Sequence, residues 1–154
     1  MIGFEEVAAP DAQAASLFFR SFNAPAPDIP RHFVARLPDR AVCGYVHLTP
    51  IEPEVFLVGG LCVDKDAYRR MSAENRQEVA GHGSLSRWLL EQSIHIAGSK
   101  RAVFAYTGNV MSRRDCEALG FVAAAGPYLL VQWHAQPEGQ RRELIEKIAG
   151  LGPF

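Results

Sequence analysis

The stretch LVGGLCVD at residues 57–64, followed after a charged segment by GHGSLSRWLLE at residues 81–91, decides the fold class of this chain. The first stretch ends an apolar run from Val55 to Val63, and such a run predicts a central strand covered on both faces. The second places glycines directly before an amphipathic pattern, which predicts a turn and the start of a helix. A buried strand that leads into a glycine turn and a helix indicates an α/β fold.

Two adjacent glycines, Gly59 and Gly60, interrupt this central strand. Glycine weakens a strand, and inside a strand it commonly marks a bulge or the close approach of another backbone or a ligand. We therefore expect the strand to bend, or to be approached closely, at this pair.

The patterns on either side of the central strand fit the same class. Residues 11–22 predict a helix capped by Asp11, and three prolines in the connector 23–30 end it. From His32 the apolar period becomes two, which predicts an antiparallel meander with turns at residues 38–40 and 49–53, ending in the central strand. Further patterns predict a strand, a helix, a strand pair and a final helix, at 101–108, 110–119, 121–125 with 128–135, and about 138–150.

The charged segment at residues 64–80 leaves two readings open. It carries four acidic and four basic side chains and little apolar periodicity, which indicates a solvated excursion or a short exposed helix begun by Ser72. In the other reading, residues 73–97 form one long kinked helix that contains both glycines of the turn and leaves no site for an anion.

Length, composition and charge limit the functional classes. The chain has 154 residues, of which 48% are hydrophobic, so we expect a single globular domain over residues 1–154. Sixteen basic and seventeen acidic residues give a net charge of -1, which removes any general attraction to nucleic acid or anionic lipid. The sequence contains no nucleophile elbow, phosphate-binding P-loop or zinc-protease motif.

The cysteines and the N-terminus predict the compartment. Three widely separated cysteines show no metal-ligand spacing, so we expect a reducing cytoplasm and no metal. No apolar run reaches the roughly 18 residues that a membrane span needs. Acidic residues stand near the N-terminus where a signal peptide would carry basic ones. We expect a cytoplasmic protein with neither nucleic acid nor a membrane as a partner.

The order of elements and two motifs resemble the GNAT superfamily of acyl-CoA-dependent N-acetyltransferases. Residues 81–91 resemble the second half of the family's pyrophosphate loop, R/Q-x-x-G-x-G/A, with its leucine-rich helix. Residues 109–121 match the spacing of the family's N-x-x-A-x-x-x-Y-x-x-x-G-F pattern. The resemblance covers roughly residues 2–135.

This resemblance implies a fold and an activity. The fold would be a single domain with a mixed, mostly antiparallel central sheet flanked by helices on both faces. The activity would be direct transfer from acetyl-CoA, or another acyl-CoA, to a small-molecule amine or a protein amine. The final helix is expected either to pack on its own chain or to cover the partner in a homodimer.

The glycine turn is the expected phosphate site. A helix N-terminus preceded by glycines exposes N–H groups and the positive end of the helix dipole, so it can hold a pyrophosphate in a neutral protein. Gly81 and Gly83 would let the backbone approach the phosphates, and His82 and Ser84 add possible donors. The family's leading basic or amide position falls at Glu78, whose charge would repel a phosphate.

By resemblance, further backbone and side-chain groups would contact the cofactor. Backbone groups of Leu61, Cys62 and Val63 would hydrogen-bond the pantetheine arm where the central strand splays from its neighbour. Asn109 would lie beside the cofactor, and its alternative role is to cap the next helix.

Two tentative catalytic residues follow. Cys116 stands where the family often has the tyrosine that protonates the departing thiolate, and its alternative is a small buried apolar side chain. Asp64, at the end of the central strand, is a candidate general base, beside Glu54, His47 and Tyr45.

The rival hypothesis is a GNAT-fold protein without catalysis that serves as an interaction or regulatory module. Glu78, Cys116 and the charged segment at 64–80 favour it, because each departs from the family pattern.

Overall fold

The computed structural model of the chain describes residues 1–152 and contains one seven-stranded sheet within them. The strands are β1 Gly3–Val7, β2 Arg31–Arg36, β3 Val42–Glu52, β4 Val55–Val63, β5 Ala102–Tyr106, β6 Val122–Ala125 and β7 Leu129–Trp133. The helices are α1 Ala12–Phe22, α2 Lys65–Arg69, α3 Ala73–Ala80, α4 Leu85–Ile96, α5 Val110–Ala118 and α6 Arg141–Gly150, the last preceded by a 3-10 turn at Glu138–Gln140.

The strand order is β1-β2-β3-β4-β5-β7-β6. The β1–β2, β2–β3, β5–β7 and β6–β7 pairs are antiparallel, and β4 runs parallel to β5 over Val55–Val58. This mixed, mostly antiparallel sheet flanked by helices confirms the predicted fold class.

The first helix begins as its sequence predicts. Asp11 is the N-cap of α1, and its side chain accepts a hydrogen bond of 3.0 Å from the N–H of Ala14. The helix ends at Asn23, which adopts the left-handed conformation that asparagine tolerates better than most residues. The proline-rich connector follows and leads into β2.

The meander is confirmed in outline and corrected at one turn. The predicted turn at residues 38–40 is present, closed by the N–H of Leu37 donating to the carbonyl of Ala41. The turn predicted at residues 49–53 is wrong in its bounds, because β3 continues to Glu52 and the chain reverses at residues 53–54. Glu54 takes a positive φ of 64° there, which allows a tighter turn than the prolines suggested.

The charged segment folds into two short helices. Ser72 begins α3 as predicted and accepts a hydrogen bond from the N–H of Asn75. The shorter helix α2, Lys65–Arg69, has no apolar period and was not predicted. The alternative of one long helix over residues 73–97 is wrong, because α3 ends at Ala80 and residues 81–84 form a turn before α4.

The chain divides into two compact units. The first comprises Met1–Leu48 and Gly60–Ile96, and the second Thr49–Gly59 and the residues from Ala97 onward. In the first unit, α1 packs on β2, β3 and β4 through the buried residues Ala14, Leu17, Phe18, Val34, Val42, Tyr45 and Cys62. In the second, α6 packs on β4, β5 and β7 through Val55, Leu57, Ala102, Phe104, Leu129, Val131, Leu144 and Ile148.

The final helix therefore buries its apolar face within its own chain. Leu144 is 4% exposed and Ile148 is fully buried. The homodimer and the single-domain organisation remain predictions.

None of the helices within residues 1–152 combines the length and the hydropathy that a membrane span needs. The same residues contain no group of three histidine, cysteine, aspartate or glutamate side chains arranged to hold a metal ion.

Candidate functional site

The turn at residues 81–84 separates α3 from α4. The N–H groups of Gly81, His82 and Gly83 donate to the carbonyls of α3, at Gln77, Val79 and Ala80 respectively. Gly83 has a φ of 94°, a left-handed conformation in which a side chain is strained. The predicted glycine turn is present, but these three N–H groups are held by the preceding helix.

The first turn of α4 begins at Ser84. Its hydroxyl accepts a hydrogen bond of 3.1 Å from the N–H of Arg87, which is N-cap geometry, and the N–H of Trp88 donates to its carbonyl. The first N–H groups of a helix have no partner within that helix and form the positive end of its dipole. An anion at this turn would therefore meet the N–H groups at the start of α4 rather than those of the glycines.

Arg87 brings a positive charge to the same turn. A Cβ added to Gly83 would lie 2.8 Å from the Arg87 Cζ, so the guanidinium lies against the bare α-carbon of the glycine. Any side chain at residue 83 would displace it. Sequence reasoning missed Arg87, although its place one turn after Gly83 on the start of α4 was a usable signal.

His82 and Glu78, near the same turn, have contacts of their own. His82 Nδ1 lies 2.6 Å from Glu91 Oε2, which fixes the imidazole against α4. Glu78, the acid at the family's basic position, accepts a hydrogen bond of 3.3 Å from the N–H of Ile2 in the first unit. Its carboxylate therefore has a role in holding the N-terminal segment.

The end of β4, Gly60–Val63, has two different sides. Cys62 is 7% exposed and packs among the α1 residues, and burial, its largest influence, raises the pKa of its thiol to about 11. Leu61 and Val63 alternate with it and are half-buried. The prediction of a strand covered on both faces is therefore wrong for this end, which exposes part of its apolar surface.

Gly60 lies at the close approach that the glycine pair predicted. Its φ is 64°, and a Cβ there would lie 2.7 Å from both His47 Nδ1 and Phe18 Cε2. The missing Cβ of Gly60 thus lets two side chains reach the backbone of β4.

Asp64 follows β4 and caps α2. Its carboxylate accepts hydrogen bonds of 2.9 and 3.1 Å from the N–H groups of Asp66 and Ala67, and Arg20 Nη2 lies 3.4 Å away. Burial alone would raise the pKa of Asp64, but these two N–H groups and Arg20 together hold it below its usual value. A carboxylate stabilised in this way is a weaker base, and its capping contacts account for its position.

The second unit carries Asn109 and Cys116. Asn109 is exposed and caps α5, its side chain accepting a hydrogen bond of 2.8 Å from the N–H of Ser112. Cys116 is 3% exposed, and burial raises the pKa of its thiol to about 12. The capping role of Asn109 is thus present, and both cofactor contact by Asn109 and catalysis by Cys116 stay predictions.

Comparisons with known proteins give the fold a name. No family model matches the sequence, and no curated protein matches it. The structure is similar to a GNAT-family acetyltransferase from Staphylococcus aureus Mu50, with 11% identity, 86% of this chain and 99% of that chain covered, and a TM-score of 0.59. It is also similar to a GNAT-family acetyltransferase from Elizabethkingia anophelis with acetyl-CoA bound, with 12% identity, 86% and 98% covered, and a TM-score of 0.62.

A third similar structure is an IAA acetyltransferase from Bacillus cereus ATCC 14579, with 15% identity, 81% of this chain and 79% of that chain covered, and a TM-score of 0.61. At these identities the likeness concerns the fold. This chain has the fold of the GNAT acetyltransferases.

Proposed function

We propose that this protein is an acyl-CoA-dependent N-acetyltransferase that binds acetyl-CoA through the end of β4 and the start of α4. The main support for this proposal is the turn at residues 81–84. There the N-terminus of α4, the α-carbon of Gly83 and the guanidinium of Arg87 lie together. The likeness to a structure with acetyl-CoA bound supports the same ligand for this chain.

The residues present fit this co-substrate. A pyrophosphate is stabilised by a helix N-terminus and by a guanidinium, and the turn supplies both. The pantetheine arm is extended and partly apolar, and Leu61 and Val63 offer half-buried apolar side chains on a strand whose backbone also carries hydrogen-bonding groups. Leu61, Cys62 and Val63 would hold the arm, and Ser84 and Arg87 the phosphates, with Gly81, His82 and Gly83 shaping the turn.

Acetyl-CoA would supply an activated acetyl group as a thioester. The nitrogen of a neutral acceptor amine would form a bond to the carbonyl carbon while the bond from that carbon to sulfur breaks. The nitrogen loses one proton and the departing sulfur gains one, so the protein has to move protons in both directions. A small-molecule amine or a protein amine fits this chemistry equally.

Binding is tested by thermal unfolding with acetyl-CoA. A ligand at 100 times its dissociation constant stabilises the native state by about 2.7 kcal/mol. We expect a dose-dependent rise in the melting temperature, and a flat titration would reject the proposal. Release of the CoA thiol in the presence of a panel of primary amines then measures transfer.

The variant Arg87→Gln tests the turn directly. It removes the charge and keeps a polar side chain, so we expect about tenfold weaker binding of acetyl-CoA, or about 1.4 kcal/mol. The matched control is Arg142→Gln on α6, whose side chain is 93% exposed, and it should bind as the wild type does. Equal binding by both variants would show that Arg87 does not contact the phosphates.

A non-catalytic binding module is the second candidate. The burial of Cys116 favours it, because the family position of the thiolate's proton donor is filled by a thiol with a raised pKa. Stabilisation by acetyl-CoA without thiol release for any amine would support this candidate.

A further inference from the structure

Three polar rings are buried together beneath α1 in the first unit. His32 is 1% exposed, Tyr45 is fully buried and His47 is 8% exposed. His32 and His47 are opposite each other in the β2–β3 ladder, and Tyr45 precedes His47 by two residues on the same face of β3. The three rings therefore face one another across two strands.

One hydroxyl joins the two imidazoles. The Tyr45 hydroxyl oxygen lies 2.6 Å from His32 Nδ1 and 3.2 Å from His47 Nδ1. A tyrosine hydroxyl carries a single proton, so it donates to one Nδ1 and accepts from the other. One histidine must then be protonated on Nδ1 and the other on Nε2.

These two hydrogen bonds can be reversed together. If the proton of one Nδ1 moves to the tyrosine oxygen while the tyrosine proton moves to the other Nδ1, the first ring is left one proton short and the second ring holds one proton too many. When the first ring gains a proton at its Nε2 and the second ring loses one from its Nε2, both rings are neutral again and their tautomers have exchanged. One proton has then moved from one end of the relay to the other. The His32–Tyr45–His47 chain is therefore a proton relay in its hydrogen-bond geometry.

The surroundings keep this relay uncharged at neutral pH. Burial, followed by the nearby His32, lowers the pKa of His47 to about 4. Burial also lowers the pKa of His32, against the opposing effect of the Asp28 carboxylate, and burial together with Cys62 raises the pKa of Tyr45.

From α1, Phe18 packs an uncharged ring against two members of the relay. The ring of Phe18 stacks on His47 with centroids 6.0 Å apart and meets Tyr45 edge-on at 5.5 Å. In such an apolar setting the two hydrogen bonds of the relay polarise and strengthen each other.

The two ends of the relay reach different places. The ring of His47 lies against Gly60 of β4, where its Nδ1 and its Cε1, the carbon between the two ring nitrogens, are 2.7 and 2.8 Å from the position of a Cβ on that glycine. His32 lines a cavity of about 370 Å³ between α1 and the proline-rich connector, together with Phe19 and Asp28. The relay thus links the strand proposed to hold the pantetheine arm of acetyl-CoA with a cavity that carries the Asp28 carboxylate.

We propose that His47, Tyr45 and His32 carry protons between the acceptor nitrogen at β4 and the cavity beside Asp28. This inference rests on the proposed acetyltransferase function. As the nitrogen forms its bond to carbon it becomes strongly acidic, and His47 Nε2 takes its proton. His47 passes the Nδ1 proton to Tyr45, Tyr45 passes its own to His32 Nδ1, and His32 releases its Nε2 proton to water in the cavity.

The reverse shift restores the relay. His47 gives its Nε2 proton to the departing sulfur, Tyr45 returns a proton to His47 Nδ1, and His32 returns one to Tyr45 and takes one from water at Nε2. Each proton lost at one end is replaced at the other, so the cycle balances without Cys116 or Asp64.

The relay is tested first by nuclear magnetic resonance on protein labelled with ¹⁵N in its histidines. At pH 7 we expect His32 and His47 to be neutral and to show opposite tautomers. Tyr45→Phe removes the shared hydroxyl, so at least one of the two histidines should change its tautomer. Two histidines with the same tautomer in the wild type would overturn the relay, whatever the activity of the protein.

The second test measures thiol release from acetyl-CoA with a panel of primary amines. We expect Tyr45→Phe and His32→Gln each to lower turnover about 100-fold. Both should remain stabilised by acetyl-CoA as the wild type is, and both should change the dependence of turnover on pH. The control is Tyr68→Phe, a partly exposed tyrosine that contacts Arg76.

The outcomes separate the two proposals. A wild type that acetyl-CoA stabilises and that releases thiol, together with a Tyr45→Phe variant of unchanged turnover, overturns the relay and leaves the proposed function. A wild type that acetyl-CoA does not stabilise overturns the proposed function and, with it, the part of the relay in amine transfer. If Tyr45→Phe does not fold, His32→Gln decides by the same criterion.

Discussion

Two helices of this protein begin in the same way and differ in what their first turns carry. The Ser84 hydroxyl caps α4 and the Asn109 side chain caps α5, each accepting from the N–H three residues further on. Beside the Ser84 cap, the guanidinium of Arg87 lies against Gly83. On α5, by contrast, Cys116 is buried. Motif spacing thus predicted both backbones, and the chemistry of each helix depends on which side chains remain accessible.

The largest expected effect concerns the turn before α4. Gly83→Ala strains a residue of positive φ, at a cost of about 1–2 kcal/mol, and also displaces Arg87. We expect it to lose the stabilisation by acetyl-CoA, about 2.7 kcal/mol at 100 times the wild-type dissociation constant. Thermal unfolding with and without acetyl-CoA measures both effects.

Gly98→Ala is the matched control. Gly98 has a φ of 85°, but nothing lies within 4 Å of a Cβ placed there. The Gly98→Ala variant should lose as much stability as Gly83→Ala does, and acetyl-CoA should still raise its melting temperature. A Gly83→Ala variant that responds as fully as Gly98→Ala would mean that the turn does not bind the co-substrate.

The next effect concerns the helix α5. Because Cys116 is buried and its thiol has a raised pKa, Cys116→Ala should lower the free energy of unfolding by about 1 kcal/mol and leave turnover unchanged. Chemical denaturation and thiol release measure the two quantities. A large fall in turnover with unchanged affinity for acetyl-CoA would instead make Cys116 the proton donor.

The smallest expected effect is a change in stability at Asp64, which tests whether this residue caps α2 or acts as a catalytic base. Its folded pKa lies below its unfolded value, so its charge stabilises the fold above the unfolded pKa, and this contribution is lost as the pH falls through the folded pKa. Asn caps a helix about as well as Asp. Asp64→Asn should therefore be less stable than the wild type by about 0.5 kcal/mol at neutral pH and equal to it in strong acid.

Denaturation at both pH values measures this difference, with Asp66→Asn as the control because the Asp66 side chain is 79% exposed. Unchanged stability together with a large loss of turnover would identify Asp64 as a base.

Local signals were enough to predict much of the fold and part of the site. Asp11 and Ser72 were recognised as caps because a short polar side chain before a helical pattern has one favourable role. The pair Gly59–Gly60 was expected to mark a bulge or a close approach, and residues 81–84 a glycine turn; Gly60 and Gly83 have positive φ at these places. Such features depend on a few neighbouring residues, which a sequence displays directly.

Features that join distant segments could not be predicted in the same way. The ladder between β2 and β3 shifts register at Ala35 and Arg36, and only this register sets His32 opposite His47. A sequence pattern of period two gives the face of each side chain but not its partner across the ladder. The buried His–Tyr–His chain therefore became visible only in three dimensions.

The proposed binding of acetyl-CoA at the end of β4 and the start of α4 is open to a direct test. Backbone amide chemical shifts, followed by nuclear magnetic resonance during a titration with acetyl-CoA, test it residue by residue. We expect the largest changes at Leu61–Val63 and at Ser84–Arg87. Saturating acetyl-CoA that leaves these amides unchanged, or that shifts only residues elsewhere in the chain, would contradict the claim.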